Sequence, residues 1–289
     1  MKKILFIAPY PFKGASSRYR VCQYFPYLDE KGISYTFSPF FSEAFFEILY
    51  QKGHWTLKML YFLEGTIRRL IDCIRSFRYD AVFIHLEAFP LGITFFERCL
   101  KRINGRIIYD LDDAIFMKAS SEVNSFVKHF KSSLKYPKII SMSTGIITCN
   151  QYLSESYVKR YTGLPVEVIH TPIDTDRFSP APVPISNDPV LLGWIGSPTT
   201  AVYLESIIPW LESLYSEIPF HLKIIGANRQ IESNCIPIIQ RNWEYETEVD
   251  EFRSLDIGLY PLPDNDWIKG KTGFKPIQYM AVGIPCVCS

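Results

Sequence analysis

Five stretches of this 289-residue chain carry residues whose types and spacing could do chemistry. The first, Tyr109-Asp110-Leu111-Asp112-Asp113, places three carboxylates within five positions. Alternate side chains of a strand share a face, so Asp110 and Asp112 fall on the same side. Clustered carboxylates bind Mg²⁺ or Mn²⁺ or serve as a general base, and Asp112 and Asp113 are equally suited to capping the turn that follows. The second is His85, which closes the run Asp80-Ala81-Val82-Phe83-Ile84-His85. The carboxyl ends of strands are where ligands sit in open α/β sheets, although a lone histidine there most often has a structural role. In the third, Ser16-Ser17-Arg18-Tyr19-Arg20, Arg18 is placed either to meet an anionic group or to be solvated in a first helical turn.

The other two could hold phosphate. Val190–Ile195 runs into Gly196-Ser197-Pro198-Thr199-Thr200 and then a long helical pattern. Ser197 has the chemistry of an N-cap and Pro198 that of a first helical residue. That would leave backbone N–H groups and the helix dipole facing a phosphate, yet an ordinary capped helix reads the same way. No G-K-[ST] follows in this loop, so it is not a Walker loop, and it is not a G-x-G-x-x-G fingerprint either. The last stretch is Trp267-Ile268-Lys269-Gly270-Lys271-Thr272-Gly273-Phe274-Lys275-Pro276-Ile277-Gln278-Tyr279-Met280-Ala281. Lys271 and Lys275 can bring positive charge to a diphosphate, and the glycines permit close backbone approach. Gln278 lies on the helix, within reach of ribose hydroxyls. Two solvated loop lysines would share this pattern.

The elements that must position these groups alternate. Strands are predicted at Lys3–Ala8, Ile33–Phe37, Asp80–Leu86, Arg106–Leu111, Gly145–Cys149 and Val166–His170, with helices over Arg18–Lys31, Tyr61–Phe77 and Gln151–Tyr161 between them. Alternation of this kind predicts a parallel sheet covered on both faces. Residues 178 to 189 hold four prolines and no periodicity, which reads as an extended linker. Strands then resume at Val190–Ile195, His221–Ile225, Leu255–Tyr260 and Ile284–Cys288, with helices over Thr199–Glu217, Thr247–Ser254 and Phe274–Val282. The reading is an α/β chain of two tandem Rossmann-like doubly wound parallel-sheet domains: 1–178, a linker at 179–189, and 190–289. The second domain is expected to be incomplete because it stops on a strand. The ligand site is expected at the carboxyl ends of strands, between the domains.

Composition narrows the class. A net charge of +1 argues against a general nucleic-acid binder. Seven scattered cysteines without a C-x-x-C pair fit reduced thiols in the cytosol. Met1-Lys2-Lys3 and the apolar run after it mimic a signal peptide, but Pro9 and Pro11 end that run early, so it reads as a strand. No run approaches the roughly 18 apolar residues of a membrane span. Residues 37 to 63 are unusually aromatic, with Phe40, Phe45, Trp55 and Tyr61 among them. Part of this set belongs to a core. The remainder, beside Lys52, Lys58, Arg68 and Arg69, is a candidate apolar surface for a lipid-linked ligand or a membrane interface.

The segment around Lys271–Pro285 resembles the nucleotide-sugar-binding segment of glycosyltransferase family 4, the group 1 transferases with the GT-B fold. Other features agree in order: Lys3–Pro9 leading into a loop with Gly14, Thr171-Pro172-Ile173-Asp174 through Phe178-Ser179-Pro180, Gly193-Trp194-Ile195-Gly196, and Leu255-Asp256-Ile257-Gly258-Leu259-Tyr260-Pro261. The resemblance spans nearly the whole chain. It implies a second domain that binds a nucleoside-diphosphate sugar and a first domain that binds a glycan or lipid-linked acceptor. It further implies transfer with retention of configuration, no required metal and no cofactor. By the same resemblance His85 contacts the transferred sugar or acceptor, and Asp112 or Asp113 recognises an acceptor hydroxyl or assists as a base. Gly14, Arg18, Gly196, Ser197, Lys271, Lys275 and Gln278 serve the donor. The sequence departs from the family at two points. Gly270 and Gln278 stand where two glutamates are usual, and the Gly196–Thr200 loop lacks an Arg/Lys pair, for which Lys271 and Lys275 could compensate. The implied location is the cytoplasm, with peripheral contact at the inner face of the membrane. A nucleotide-sugar epimerase of the same fold and an inactive nucleotide-sugar-binding protein are the alternatives.

Overall fold

The structure, a computed structural model, describes residues 2–49, 51, 53–114, 134–183 and 186–289. The chain forms two compact units: Met1–Pro172 with Lys269–Thr272, and Ile173–Ile268 with Gly273–Ser289.

In the first unit, β1 (Lys3–Ala8), β2 (Ser34–Pro39), β3 (Ala81–His85), β4 (Ile107–Leu111), β5 (Gly145–Thr148) and β6 (Val166–Val168) form one sheet of order β2-β1-β3-β4-β5-β6. Every pairing is parallel. Its described helices are α1 (Ala15–Arg20), α2 (Phe25–Glu30), α3 (Glu43–Leu49), α4 (Trp55–Arg75), α5 (Phe95–Ile103), α6 (Lys135–Met142) and α7 (Gln151–Ser156). Strands of such a sheet are covered on both faces, which is why they read as apolar runs. Leu5, Ile7, Val82, Ile84, Ile107 and Tyr109 are buried accordingly. From β1 the chain passes to β2 on one side, then returns to β3 on the other. This reversal opens a crevice outside the carboxyl ends of β1 and β3.

The second unit holds β7 (Val190–Ile195), α8 (Ala201–Glu217), β8 (Phe220–Ile225), β9 (Ile238–Arg241), α9 (Glu248–Arg253), β10 (Ile257–Tyr260), α11 (Phe274–Ala281) and β11 (Cys286–Cys288), with the short α10 (Asp266–Lys269) preceding α11. Its sheet is again all parallel, in the order β11-β10-β7-β8-β9. Leu192, Trp194, Leu204, Ile208, Leu222 and Ile224 form its core.

Several elements differ from expectation for identifiable reasons. The helix expected over Arg18–Lys31 is broken into α1 and α2, and Pro26 occupies the first turn of α2, where its missing N–H does least harm. The strand expected at Ile33–Phe37 is shifted to Ser34–Pro39, because β2 pairs with β1 through Ala8↔Pro39. Strand β9 and helices α3, α5, α6 and α10 had no counterpart in the sequence reading. The expected linker does not begin at 179. Phe178 is buried against the Phe252 ring at 5.9 Å, and Arg253 donates to the Ser179 carbonyl at 2.8 Å. The break between units falls earlier, after Pro172, while residues 184 and 185 lie outside the described residues.

Among the described residues, no helix is long and apolar enough to cross a membrane. Phe40, Phe41 and Phe45 from the aromatic stretch are core residues. Arg69, expected near a surface, is instead fully buried, donating to Asp72 at 2.8 Å and to the Ala88 carbonyl at 2.7 Å. Lys52 lies outside the described residues.

Candidate functional site

The first unit gathers its ionisable groups at the crevice. β3 and β4 run side by side with His85 opposite Asp110. The His85 Nδ1–H donates to Asp110 Oδ2 at 2.7 Å, and Nε2 lies 3.1 Å from Ser16 Oγ on α1. Arg20, one turn further along α1, donates through Nε to Asp110 Oδ2 at 3.2 Å and through its terminal nitrogens to Oδ1, to the Ile169 carbonyl at 2.6 Å and to Thr171 Oγ1 at 3.4 Å. His85 and Asp110 are fully buried and Arg20 nearly so. Burial alone would raise the Asp110 carboxyl, but the hydrogen bond from His85 and the charges of Arg20 and His85 outweigh it and hold the group below its ordinary value. Burial alone would lower the Arg20 guanidinium, but Asp110 raises it further. Asp110 is therefore an ionised acceptor at neutral pH. It fixes the proton on Nδ1, so in the neutral ring Nε2 is the acceptor and the Ser16 hydroxyl donates to it. Two unconnected peptide stretches thus bring a ring nitrogen and a partly exposed hydroxyl together at the carboxyl end of a sheet, the nitrogen buried behind the hydroxyl. That arrangement can take a hydrogen bond, or a proton, from a substrate hydroxyl.

Asp112 and Asp113 follow β4. Among the described residues, Oδ1 of Asp112 is buried without a hydrogen-bond partner, while the residue as a whole keeps some exposure. Burial raises its carboxyl above the ordinary value, more than His85 lowers it, and Asp110 and Asp113 add to the rise. A group whose folded-state pKa is raised costs stability when ionised, and that cost disappears where both states are protonated. Asp112→Asn is therefore expected to raise the thermal midpoint at pH 7. The gain should vanish below about pH 3, and a midpoint lowered at pH 7 would contradict it. Asp113 Oδ2 lies 3.5 Å from Lys271 Nζ. Lys271 belongs to the Lys269–Thr272 segment, which is part of the first unit. Asn150 holds that segment: its Oδ1 caps α7 by accepting from the Leu153 N–H at 2.8 Å, and its Nδ2 donates to the carbonyls of Lys269 and Lys271, each at 3.0 Å. The Cys149 thiol donates to the Asp112 carbonyl at 3.1 Å, and burial pushes its pKa up to about 12, so it is no nucleophile here.

In the second unit, the loops after β7, β8 and β9 converge. Gly226, at φ +80°, lies so close to the Gly196 carbonyl that a Cβ would stand 2.4 Å from the oxygen. Beyond it, Asn228, Arg229, Arg241, Asn242, Glu244 and Thr247 line a polar cavity of about 500 Å³ at the carboxyl ends of β8 and β9. Gln240 pins the loop by donating to the Ile231 carbonyl at 3.0 Å and accepting from its N–H at 3.2 Å. The cavity offers amide and hydroxyl groups with charges of both signs, Arg229 and Arg241 against Glu244 and Glu251, which suits a polar, hydrogen-bonding ligand.

The residues singled out from sequence are distributed unevenly. His85, Asp112, Asp113 and Lys271 all belong to the first unit's crevice region. Gly14 precedes α1, where a Cβ would lie 2.4 Å from Tyr10 Cβ, so close packing requires glycine there. Arg18 is buried and bends back, donating to the Lys13 carbonyl at 3.2 Å with its guanidinium 4.8 Å from the Tyr19 ring centre. Arg20, passed over in the sequence, is the arginine of the cluster. Gly196 lies beside the second unit's cavity, but Ser197 does not cap the helix. α8 begins at Ala201, and the Ser197 hydroxyl instead meets those of Thr199 and Thr200 at 3.0 and 3.3 Å. Lys275 Nζ sits 5.1 Å from the Phe252 ring centre. Gln278 is fully buried and donates to Glu248 Oε1 at 3.4 Å, a carboxylate also held by Trp243 and Arg177. Its side chain thus faces the interior of the unit. Asp110, read from sequence as a member of the carboxylate cluster, is instead the partner of His85; Ser16 and the cavity residues were missed. Only the apolar strands before them signalled their position.

No protein-family model matches the chain, and no curated protein matches it. Solved structures do. An α-glucosyltransferase in complex with UDP and a 13-mer DNA containing a HMU base matches at a TM-score of 0.63 and 11% identity, over 100% of this chain and 79% of that one. Sucrose-phosphate synthase from Thermosynechococcus elongatus matches at 0.63 and 11%, over 100% and 81%. At this identity the likeness establishes the fold, which is GT-B.

Proposed function

We propose that this GT-B chain is a glycosyltransferase that moves a sugar from a nucleoside-diphosphate donor to a hydroxyl of a glycan or lipid-linked acceptor. The observation that carries the reading is the Ser16–His85–Asp110 hydrogen-bond chain at the switch point of the first sheet. The cavity after β8 and β9 supports it by offering the second unit a place for the nucleotide, beside the Gly196 loop. The neighbour crystallised with UDP binds its nucleotide on the same fold.

The ordered motifs that resemble family 4 support transfer with retention of configuration. The acceptor oxygen then bonds to the anomeric carbon on the face from which the diphosphate departs. The bond from that carbon to the diphosphate oxygen breaks, the diphosphate keeps the electron pair, and it takes up the acceptor proton. With the Ser16 hydroxyl turned aside, His85 Nε2 holds a hydroxyl of the sugar or acceptor during this step, and Asp112 or Asp113 orients the acceptor. Lys271 contributes charge that offsets the departing diphosphate. The reaction takes place in the cytoplasm, in keeping with seven free thiols.

A thermal-shift screen against UDP, GDP, ADP and their sugars tests the donor site. A ligand at about 100 times its dissociation constant stabilises by roughly 2.7 kcal/mol. One nucleotide should give this shift, and Arg241→Ala and Lys271→Ala should each diminish it. No shift with any nucleotide in folded protein would sink the reading. An isomerised donor without free nucleoside diphosphate would convert it to an epimerase.

A further inference from the structure

The longest helix of the first unit packs Phe62 against Phe40 and Phe89 and carries a second apolar stripe on its outer side. α4 turns Gly65, Arg69, Asp72 and Cys73 inward, and the Arg69–Asp72 ion pair is buried at 2.8 Å. A surface helix ordinarily directs its apolar stripe to the core and its charges to water. Here Met59, Leu63, Ile67, Leu70, Ile74 and Phe77 face outward, with exposures between 43% and 72%. Their spacing of three and four residues lays them along one line of the helix and the turn after it. Trp55, at the start of the helix, is 76% exposed. Contiguous exposed apolar surface of this extent marks an interaction face.

Charge identifies the occupant. Arg75 and Arg78 lie at the carboxyl end of the stripe and are exposed. Asn104, after α5, donates to the carbonyls of Ser76 and Tyr79 at 2.8 and 2.7 Å, which brings exposed Arg102 and Arg106 to the same end. The acids of the helix are already paired, Glu64 with Arg68 and Asp72 with Arg69. Among the described residues of α3 and α4, a second copy offers these arginines no unpaired carboxylates: parallel helices would oppose arginine to arginine, and antiparallel ones would oppose it to His54 and Lys58, with Glu43 and Glu47 of α3 already paired to Lys13. An apolar stripe ending in a cluster of arginines matches an interfacial helix on anionic headgroups.

We propose that the outward face of α4, with the arginine cluster at its carboxyl end, docks the protein onto an anionic lipid bilayer, the helix lying in the plane of the interface. The claim concerns binding alone, so it stands or falls separately from the proposed reaction.

Sedimentation with vesicles tests it. The protein should sediment with vesicles of phosphatidylcholine and phosphatidylglycerol in equal parts, and far less with phosphatidylcholine alone or at high salt. Leu63→Glu with Ile67→Glu should weaken the binding by about ten-fold or more, and Arg75→Glu with Arg102→Glu should do so on the anionic vesicles. All four positions are exposed, so circular dichroism and the thermal midpoint should match wild type and show that each variant is folded. Absence of wild-type binding, or binding unchanged in the Leu63→Glu/Ile67→Glu variant, would overturn the proposal. So would a solution dimer that this variant converts to monomer, which would assign the face to a second copy.

Discussion

Replacing His85 with alanine is expected to lower kcat by roughly 10²–10⁴-fold while leaving the KM for the nucleotide-sugar donor little changed. The histidine holds its reactive nitrogen in one orientation because Asp110 takes the proton of the other. Removing the ring removes the acceptor for a substrate hydroxyl, but it leaves Asp110 bonded to Arg20 and does not touch the second unit's cavity. Loss of turnover should therefore come without loss of the nucleotide-induced thermal shift. Ser16→Ala, which leaves the ring in place, should cost less. Equal losses in binding and turnover would show that His85 supports the fold rather than the reaction.

Asp110→Asn should be the most destabilising of these substitutions, by about 3–5 kcal/mol, because it strands the Arg20 charge in the interior. Arg20 is 5% exposed and Asp110 fully buried, so solvent cannot replace the lost partner. Urea unfolding would read the loss directly. Replacing both residues together, with Arg20→Met and Asp110→Leu, should recover a large part of it. The pH dependence has a definite sign. Asp110 is held below its ordinary value, so its contribution is fully present above the carboxylate range of the unfolded chain and is lost as pH falls through the lower folded value. The Asn variant should lack that part of the acid sensitivity. A variant as stable as wild type would mean that Arg20 finds other support from the Ile169 carbonyl and Thr171.

Much of the scaffold was legible because parallel strands buried on both faces leave continuous apolar runs, as in Val82-Phe83-Ile84 and Ile107-Ile108-Tyr109. β9 was not. It is a short strand, Ile238-Ile239-Gln240-Arg241, that ends in polar side chains and, among the described residues, pairs with β8 alone. His85 could be placed at a strand end, but its partner could not. Asp110 lies 25 residues away, and only the register of β3 against β4 sets the two side by side. The choice between Arg18 and Arg20 turned on where α1 starts. A helix from Ala15 directs Arg20 to the sheet and folds Arg18 back on the loop before it. Gln278 shows the opposite limit: its place on a helix was readable, yet its burial against Glu248 depends on α9, about 30 residues earlier in sequence.

The tetrapeptide Lys269–Thr272 completes the first unit although roughly a hundred residues of the second are synthesised before it. Domains emerging from the ribosome ordinarily fold as soon as their own sequence is out, at about 5–20 residues per second. Here Asn150, Cys149 and Asp113 wait on the order of 5–20 s for partners that arrive late in translation. The nascent first unit is thus unfinished through most of the synthesis of the second. Maturation of the crevice around Asp113 is tied to completion of the downstream chain, so a ribosome stalled before residue 269 would hold a folded but unclosed half.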